Sequence, residues 1–291
     1  MQRSRLLVGI AAAAVVSLAV GTTAASMVLD KYAVGVHDNP LRLLGLVQAK
    51  FEPGCAPAVN PMACHVDGRA WRLQSSGAPW SARADGENGY RFEIRSGDHW
   101  SKDARKGKTV ERTELSDLAR MPYGQDFWLA FTMEVEPGPP STSDWVNLGQ
   151  LHGTADAGER SVSPPWVQRL LPNDAFRVEV RHTLEDPIKT QPTPVVIFED
   201  PKLERGRPYR FVYHFRISTG PDGMATMWRD GKLVADYRGP VGYPDKRGPY
   251  FKLGLYRARA PGGERLVAHY SDVTLGSRPP ADHLPAASAK S

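Results

Sequence analysis

The sequence predicts an all-β protein: a single β-sandwich or jelly roll of two antiparallel sheets. Three observations predict it. From Tyr90 onward, short segments rich in Val, Ile, Phe, Tyr and Trp alternate apolar and polar residues, the period of a half-buried strand. No helical pattern of helix length interrupts them, which argues against a parallel sheet with helical crossovers. The 27 glycines and 25 prolines among 291 residues exceed the roughly 12% of average usage and suit many tight turns.

The elements follow in order. Arg3 and Arg5, an apolar run over 6–20 and small residues ending Ala24-Ala25-Ser26 have the pattern of a secretory signal peptide over 1–26. The apolar run is shorter than the ~20 residues of a comfortable membrane span, and an uncleaved anchor is the alternative. Export places the protein outside the cell or in the periplasm. There, Cys55 and Cys64, the only cysteines, are expected to form one disulfide closing a local loop. No second cysteine pair follows at metal-ligand spacing, which disfavours zinc. Residues 27–80, with prolines at 40, 53, 57, 61 and 79, read as an irregular N-terminal wrap with one short helix near 41–47.

Strands are expected at 90–95, 127–135, 145–151, 176–182, 195–199, 209–217, 224–229, 233–236, 250–256 and 265–273. Asp230-Gly231 suits a two-residue type I′ hairpin turn. The sandwich domain is expected to span 27–276, and the Pro-, Ala-, Ser- and Lys-rich tail 277–291 to be disordered. The net charge of +5 and pI near 9.2 favour a polyanionic partner, and nucleic acid, an anionic membrane and an acidic glycan satisfy that equally.

Three short segments could share a site. In Tyr250-Phe251-Lys252-Leu253-Gly254-Leu255-Tyr256, Phe251, Leu253 and Leu255 would face the core. Tyr250, Lys252, Gly254 and Tyr256 would face outward, the glycine leaving space for a ligand. Gln150 and His152 share a face in the same way, as do Arg112 and Glu114. Taken singly, each is equally an ordinary half-exposed strand, a surface histidine or a cross-strand ion pair worth roughly 0.2–1 kcal/mol.

Arg112-Thr-Glu-Leu, Gln150-x-His152 and Tyr250-Phe-Lys-x-Gly-x-Tyr256, in that order, resemble the signature of the jelly-roll, concanavalin-like polysaccharide lyases. That set includes alginate lyases with this triple motif and the related heparin lyase I and glucuronan lyase families. Leu151 stands where the alginate lyases typically carry Ile or Val, and Arg257-Ala258 where they often carry Asn-Gln. The long wrap and the basic run from Lys102 to Arg112 look closer to the other two families. The resemblance implies a lyase that cuts a 4-linked uronate polymer without a required cofactor, and it leaves room for a structural Ca²⁺. The expected partner is the acidic polysaccharide rather than nucleic acid, with no membrane unless the leader stays, and the expected state a monomer.

The chemistry asks for these residue types. Elimination removes the proton on C5 of a uronate and expels the oxygen on C4. The neighbouring carboxylate must therefore be neutralised as charge develops on it. Gln150 and Arg112 can donate to that carboxylate. His152 titrates in the range of a base. The resemblance gives Tyr256 the role of acid, and of base for one substrate stereochemistry, with its phenol pKa lowered by a nearby cation. Lys252 would hold the substrate or tune Tyr256, and Glu114 would orient Arg112. Tyr250, Trp145 and Arg181 are further substrate-binding candidates, with Arg177, Lys102, Arg105, Lys106 and Lys108 as outlying basic residues. A glycan-binding module on the same fold would need no acid–base pair. A glycoside hydrolase would need two carboxylates about 5–10 Å apart, and none stand paired beside the motifs.

Overall fold

The computed structural model describes residues 62–66, 69–86, 89–117 and 119–283, within the unit Asp38–Ser291. The predicted leader, the helix near 41–47 and Cys55, one partner of the expected disulfide, lie outside the described residues. The strands in chain order are β1 (Met62–Val66), β2 (Arg69–Gln74), β3 (Ala82–Asp85), β4 (Gly89–Ile94) and β5 (Glu111–Asp117). Next come β6 (Asp126–Val135), β7 (Val146–His152), β8 (Trp166–Leu170), β9 (Phe176–Val180) and β10 (Val195–Asp200). β11 (Tyr209–Arg216), β12 (Met224–Arg229), β13 (Lys232–Arg238), β14 (Tyr250–Arg257) and β15 (Leu266–Gly276) complete the series. A one-turn helix, α1 (Ser101–Ala104), precedes β5.

The strands form an eight-stranded sheet, β1-β2-β5-β14-β7-β8-β9-β10, and a seven-stranded sheet, β13-β12-β11-β6-β15-β4-β3, antiparallel throughout the strand ladders. Alternation along the strands builds the core. Leu253, Leu255 and Phe251 of β14 face Phe131 of β6 and Tyr270 of β15, all buried. Phe131 packs against Phe251 and Tyr270 at centroid separations of 6.5 and 5.9 Å. Trp166 of β8 meets Tyr213 and Phe215 of β11 edge-on. Each large side chain removed from water contributes roughly 1.5–3 kcal/mol, so this layer outweighs any single surface contact. Two polar ties cross it: the Tyr270 hydroxyl donates to the Leu148 carbonyl at 2.7 Å, and the Tyr213 hydroxyl to Gln168 Oε1 at 2.6 Å.

The observed strands match the predicted series and add to it. β1 and β2 lie inside the stretch read as irregular wrap, where short segments between prolines hide a period-two pattern. β8 follows Pro164-Pro165, which reads as loop. Residues 277–283, assigned to a disordered tail, form a 3₁₀ turn at Ala281–His283 packed on the seven-stranded sheet. There the His283 ring meets Trp228 at 4.3 Å and Asp282 pairs with Arg210 at 2.9 Å. The Asp230-Gly231 turn joins β12 to β13 with both φ angles positive, as a type I′ turn requires.

Gly254 does not open space for a ligand, as the sequence suggested. Its φ is +128°, and a Cβ there would lie 2.5 Å from the Thr113 carbonyl oxygen on β5. The glycine is needed because the β14 and β5 backbones approach closely where β14 bulges against β7. Gly254→Ala should therefore lower stability by about 1–3 kcal/mol or more through backbone strain. Urea unfolding followed by circular dichroism measures it, and an unchanged midpoint would remove this role for the glycine.

Candidate active site

The outer face of the eight-stranded sheet gathers the motif residues. In register, Arg112 on β5 pairs with Tyr256 on β14, Tyr256 with Asn147 on β7, and Asn147 with Arg169 on β8. A second row runs from Lys252 to Gln150, and a third from Tyr250 to His152. The ladder slips near Leu148 and Gly149 against both neighbouring strands. That slip lets Asn147 and Gln150, three positions apart, serve one face, where strict alternation would separate them.

Beneath this face sits a buried charge cluster. Glu114 is 2% exposed. Its Oε2 accepts from Lys252 Nζ at 2.5 Å, and its Oε1 accepts from Gln150 Nε2. Arg112 Nη1 lies 3.3 Å from Glu114 Oε2 and donates to Gln74 Oε1 at 2.7 Å, and Arg112 Nε lies 3.0 Å from Asp103 on α1. Two cations thus meet two carboxylates out of water, which is tolerable only because each charge has a partner. Burial, reinforced by the Arg112 charge, pushes the Lys252 ammonium down to about 8.

Above the cluster lies an open cleft of about 260 Å³. Arg112, Gln150, His152, Tyr256, Trp145, Asn147, Arg169 and Lys108 line it, with 161–164 and Gln191 on the far wall. His152 Nδ1 lies 2.8 Å from the Gly153 carbonyl, which can only accept, so Nδ1 carries the proton and Nε2 the lone pair. Burial, and then the Lys252 charge, hold the imidazolium down at about 4, so the ring is neutral at pH 7. The Tyr256 ring lies under the Arg112 guanidinium at 3.8 Å and meets the edge of half-buried Trp145 at 4.9 Å. The expected lowering of the Tyr256 pKa is reversed. Burial raises it and outweighs the Arg112 charge, so the group is a neutral phenol.

Several placements differ from the sequence reading. Lys252 is 1% exposed and committed to Glu114, so it does not present a free charge to a polyanion. Arg181 is buried and donates to Glu179 at 2.5 Å, away from the cleft lining, while Arg169 one strand nearer lines it. Tyr250 stacks on His152 at 5.1 Å and serves as its wall. Of the basic run, Lys108 reaches the cleft; Lys102, Arg105 and Lys106 are exposed and do not line it. Asn147, Arg169, Gln74 and Asp103 were not anticipated. Asn147 is the one alternation would have found, but the slip at Leu148 breaks the period between it and Gln150. Among the described residues, no group of three His, Cys, Asp or Glu side chains could hold a metal ion.

Comparison with known proteins agrees with this architecture. The sequence model described as polysaccharide lyase matches residues 66–274. The fold is similar to that of an endo-β-1,4-glucuronan lyase from the fungus Trichoderma reesei, with a TM-score of 0.54 and 13% identity over 72% of this chain and 87% of that one. It is also similar to alginate lyase A1-II′, of polysaccharide lyase family 7, with a TM-score of 0.53 and 15% identity over 70% of this chain and 93% of that one. No curated protein sequence matches this chain.

Glu114→Gln would leave the Lys252 and Arg112 charges in the interior with half their compensation. Breaking a buried ion pair by removing one partner costs about 3–5 kcal/mol. Unfolding midpoints for Glu114→Gln, Lys252→Met and the double variant should show the double variant more stable than the sum of the single losses. Strict additivity would mean that the pair is not coupled.

Proposed function

Because this chain belongs to the polysaccharide lyase family, we propose that it cleaves a 4-linked, uronate-containing acidic polysaccharide by β-elimination, leaving unsaturated uronate ends. The observation that carries the reading is the placement of His152 and Tyr256 on one cleft beside Arg112 and Gln150, where burial favours a neutral imidazole and a neutral phenol. A base must arrive unprotonated and an acid protonated, and burial sets both states without a pH compromise.

In this reading Arg112 and Gln150 hold the carboxylate of the sugar to be opened. The Gln150 amide keeps one N–H on Glu114 and has the other for the substrate. His152 Nε2 takes the C5 proton, and the C–H electron pair becomes the C4=C5 double bond. The C4–O bond breaks, and the leaving oxygen takes the Tyr256 proton. Glu114 and Lys252 are positioning residues that fix Gln150 and Arg112, while Trp145 offers a stacking face for a sugar ring. The cleft lining contains no Asp or Glu, which disfavours a two-carboxylate hydrolase. The names of the structural neighbours make glucuronan and alginate the first polymers to try. The leader, a Cys55–Cys64 disulfide and a secreted or periplasmic location complete the proposal.

Tyr256→Phe keeps the ring and removes the proton. It should lower kcat by about 10²–10⁴-fold with little change in KM, read as ultraviolet absorbance of unsaturated ends on a panel of uronate polymers. Full turnover by a folded variant would overturn the assignment.

The pH profile is a second test. With His152 required neutral, kcat/KM should fall as the pH drops through about 4 rather than through 6.5. Between those values the unfolded imidazole binds a proton that the folded one refuses, so folding stability should also decline as the pH falls from 6.5 to about 4. An acid limb near 6.5 that survives in His152→Gln would assign it to another group.

A further inference from the structure

We propose that Arg169, with Asn147, forms a second anion subsite, which reads an acidic group two sugars along the polymer from the one that reacts. The preferred substrate is then a polymer that carries an acidic group on at least every second sugar. The inference rests on the lyase reading of the same cleft and adds to it a residue that none of the three motifs contains.

The geometry comes from the register. Arg112, Tyr256, Asn147 and Arg169 lie in one row across the neighbouring strands β5, β14, β7 and β8, and all four line the cleft. Strands stand about 4.8 Å apart, so Arg169 lies roughly 10 Å along the row from Tyr256. A 1,4-linked pyranose advances by a length close to one strand spacing. A polymer lying along the row with one sugar at Tyr256 therefore places the next sugar over Asn147 and the second over Arg169.

Charge separates Arg169 from Arg112, Arg177 and Arg181. Arg112 is held by Asp103 and Glu114. Arg177 has Glu199 at 2.6 Å, and Arg181 has Glu179 at 2.5 Å. Among the described residues, Arg169 has only that same Glu179, at 3.6 Å and already shared with Arg181 and Arg177. Its Nε has no hydrogen-bond partner among the described residues, and its side chain is 13% exposed. Beside it, Asn147 Oδ1 is also buried without a partner. Buried donors and acceptors are ordinarily satisfied, so a guanidinium N–H and an amide oxygen left open side by side in a cleft point to a ligand. A carboxylate of the second sugar would take the guanidinium, and a hydroxyl of the sugar between would donate to Asn147. Burial pushes the Arg169 guanidinium down to about 10, which leaves it charged at pH 7 and favours an incoming anion that restores its compensation.

The test compares wild type with Arg169→Gln and Arg169→Lys on two polymers. One is a homopolymeric uronan such as glucuronan or alginate; the other, deacylated gellan, carries a 4-linked uronate on every fourth sugar and so places a neutral sugar over Arg169. Losing a charge-assisted contact should raise KM on the homopolymer by about ten- to a hundredfold, with the loss falling on KM rather than kcat. On gellan the change should be small, and Arg169→Lys should recover part of the loss on the homopolymer. An unchanged KM on the homopolymer, or equal losses on both polymers, would overturn the subsite. Thermal melting checks folding, and Arg169→Met, which keeps the aliphatic stem, carries the same comparison should Arg169→Gln fail to fold. If wild type cuts neither polymer, the lyase reading falls by itself. The subsite is then judged by calorimetric binding of uronan oligosaccharides, where equal affinities of wild type and variant would overturn it and a weakened variant would support it.

Discussion

The site depends on the carboxylate of Glu114. It lies below the sheet surface, accepts from Lys252 on one neighbouring strand and from Gln150 on the next, and stands within ion-pair distance of Arg112 on its own strand. Among the described residues, no other group is recorded in contact with all three motif segments. Without its charge, Lys252 would be stranded in a dry interior at a desolvation penalty of several kcal/mol, and Arg112 would be left with Asp103 alone. With it, Lys252 becomes a strut and the amide of Gln150 is turned with one N–H toward the cleft. The backbone makes the cluster reachable. Gly254 brings β14 against β5, and the slip around Leu148 carries Asn147 onto the face that holds Gln150 and His152.

Burial then decides what the reactive groups are able to do. His152 and Tyr256 both lose the solvation that would stabilise their charged forms, and both are left neutral. For an elimination this is the useful combination, because one group accepts a proton and the other gives one. The cations near them are not free to reverse it: Lys252 is spent on Glu114, and Arg112 lies flat over the Tyr256 ring with its charge shared between Glu114 and Asp103. Among the residues that line the cleft, the positive charge without a close carboxylate belongs instead to Arg169 and Lys108.

Much of this was legible in the chain and some was not, for identifiable reasons. The alternation of Tyr250 to Tyr256 placed Phe251, Leu253 and Leu255 in the core correctly, because a period of two survives wherever one face is buried. The same rule misread Gly254, since a glycine required by a close backbone approach looks identical in sequence to one that makes room. It missed Asn147 because a bulge shifts the period by one and leaves no compositional mark. It assigned Lys252 to substrate contact because a lysine on an outward face is ordinarily solvated, and the buried carboxylate that captures it is 138 positions away. The three motif segments converge through non-neighbouring pairings, β5 with β14 and β14 with β7, which no local pattern encodes.

The fold shared with the glucuronan and alginate lyases sets an architecture, at identities of 13% and 15%, and the chemistry has to be argued from the cleft. The central claim is that this cleft breaks a C–O bond by elimination, without adding water. Cleavage of the best uronan substrate in heavy-oxygen water, with the products weighed by mass spectrometry, tests it most directly. Elimination predicts new non-reducing ends lighter by one water and no heavy oxygen incorporated at the cut. Saturated fragments carrying one heavy oxygen per cut would contradict it and make the protein a hydrolase.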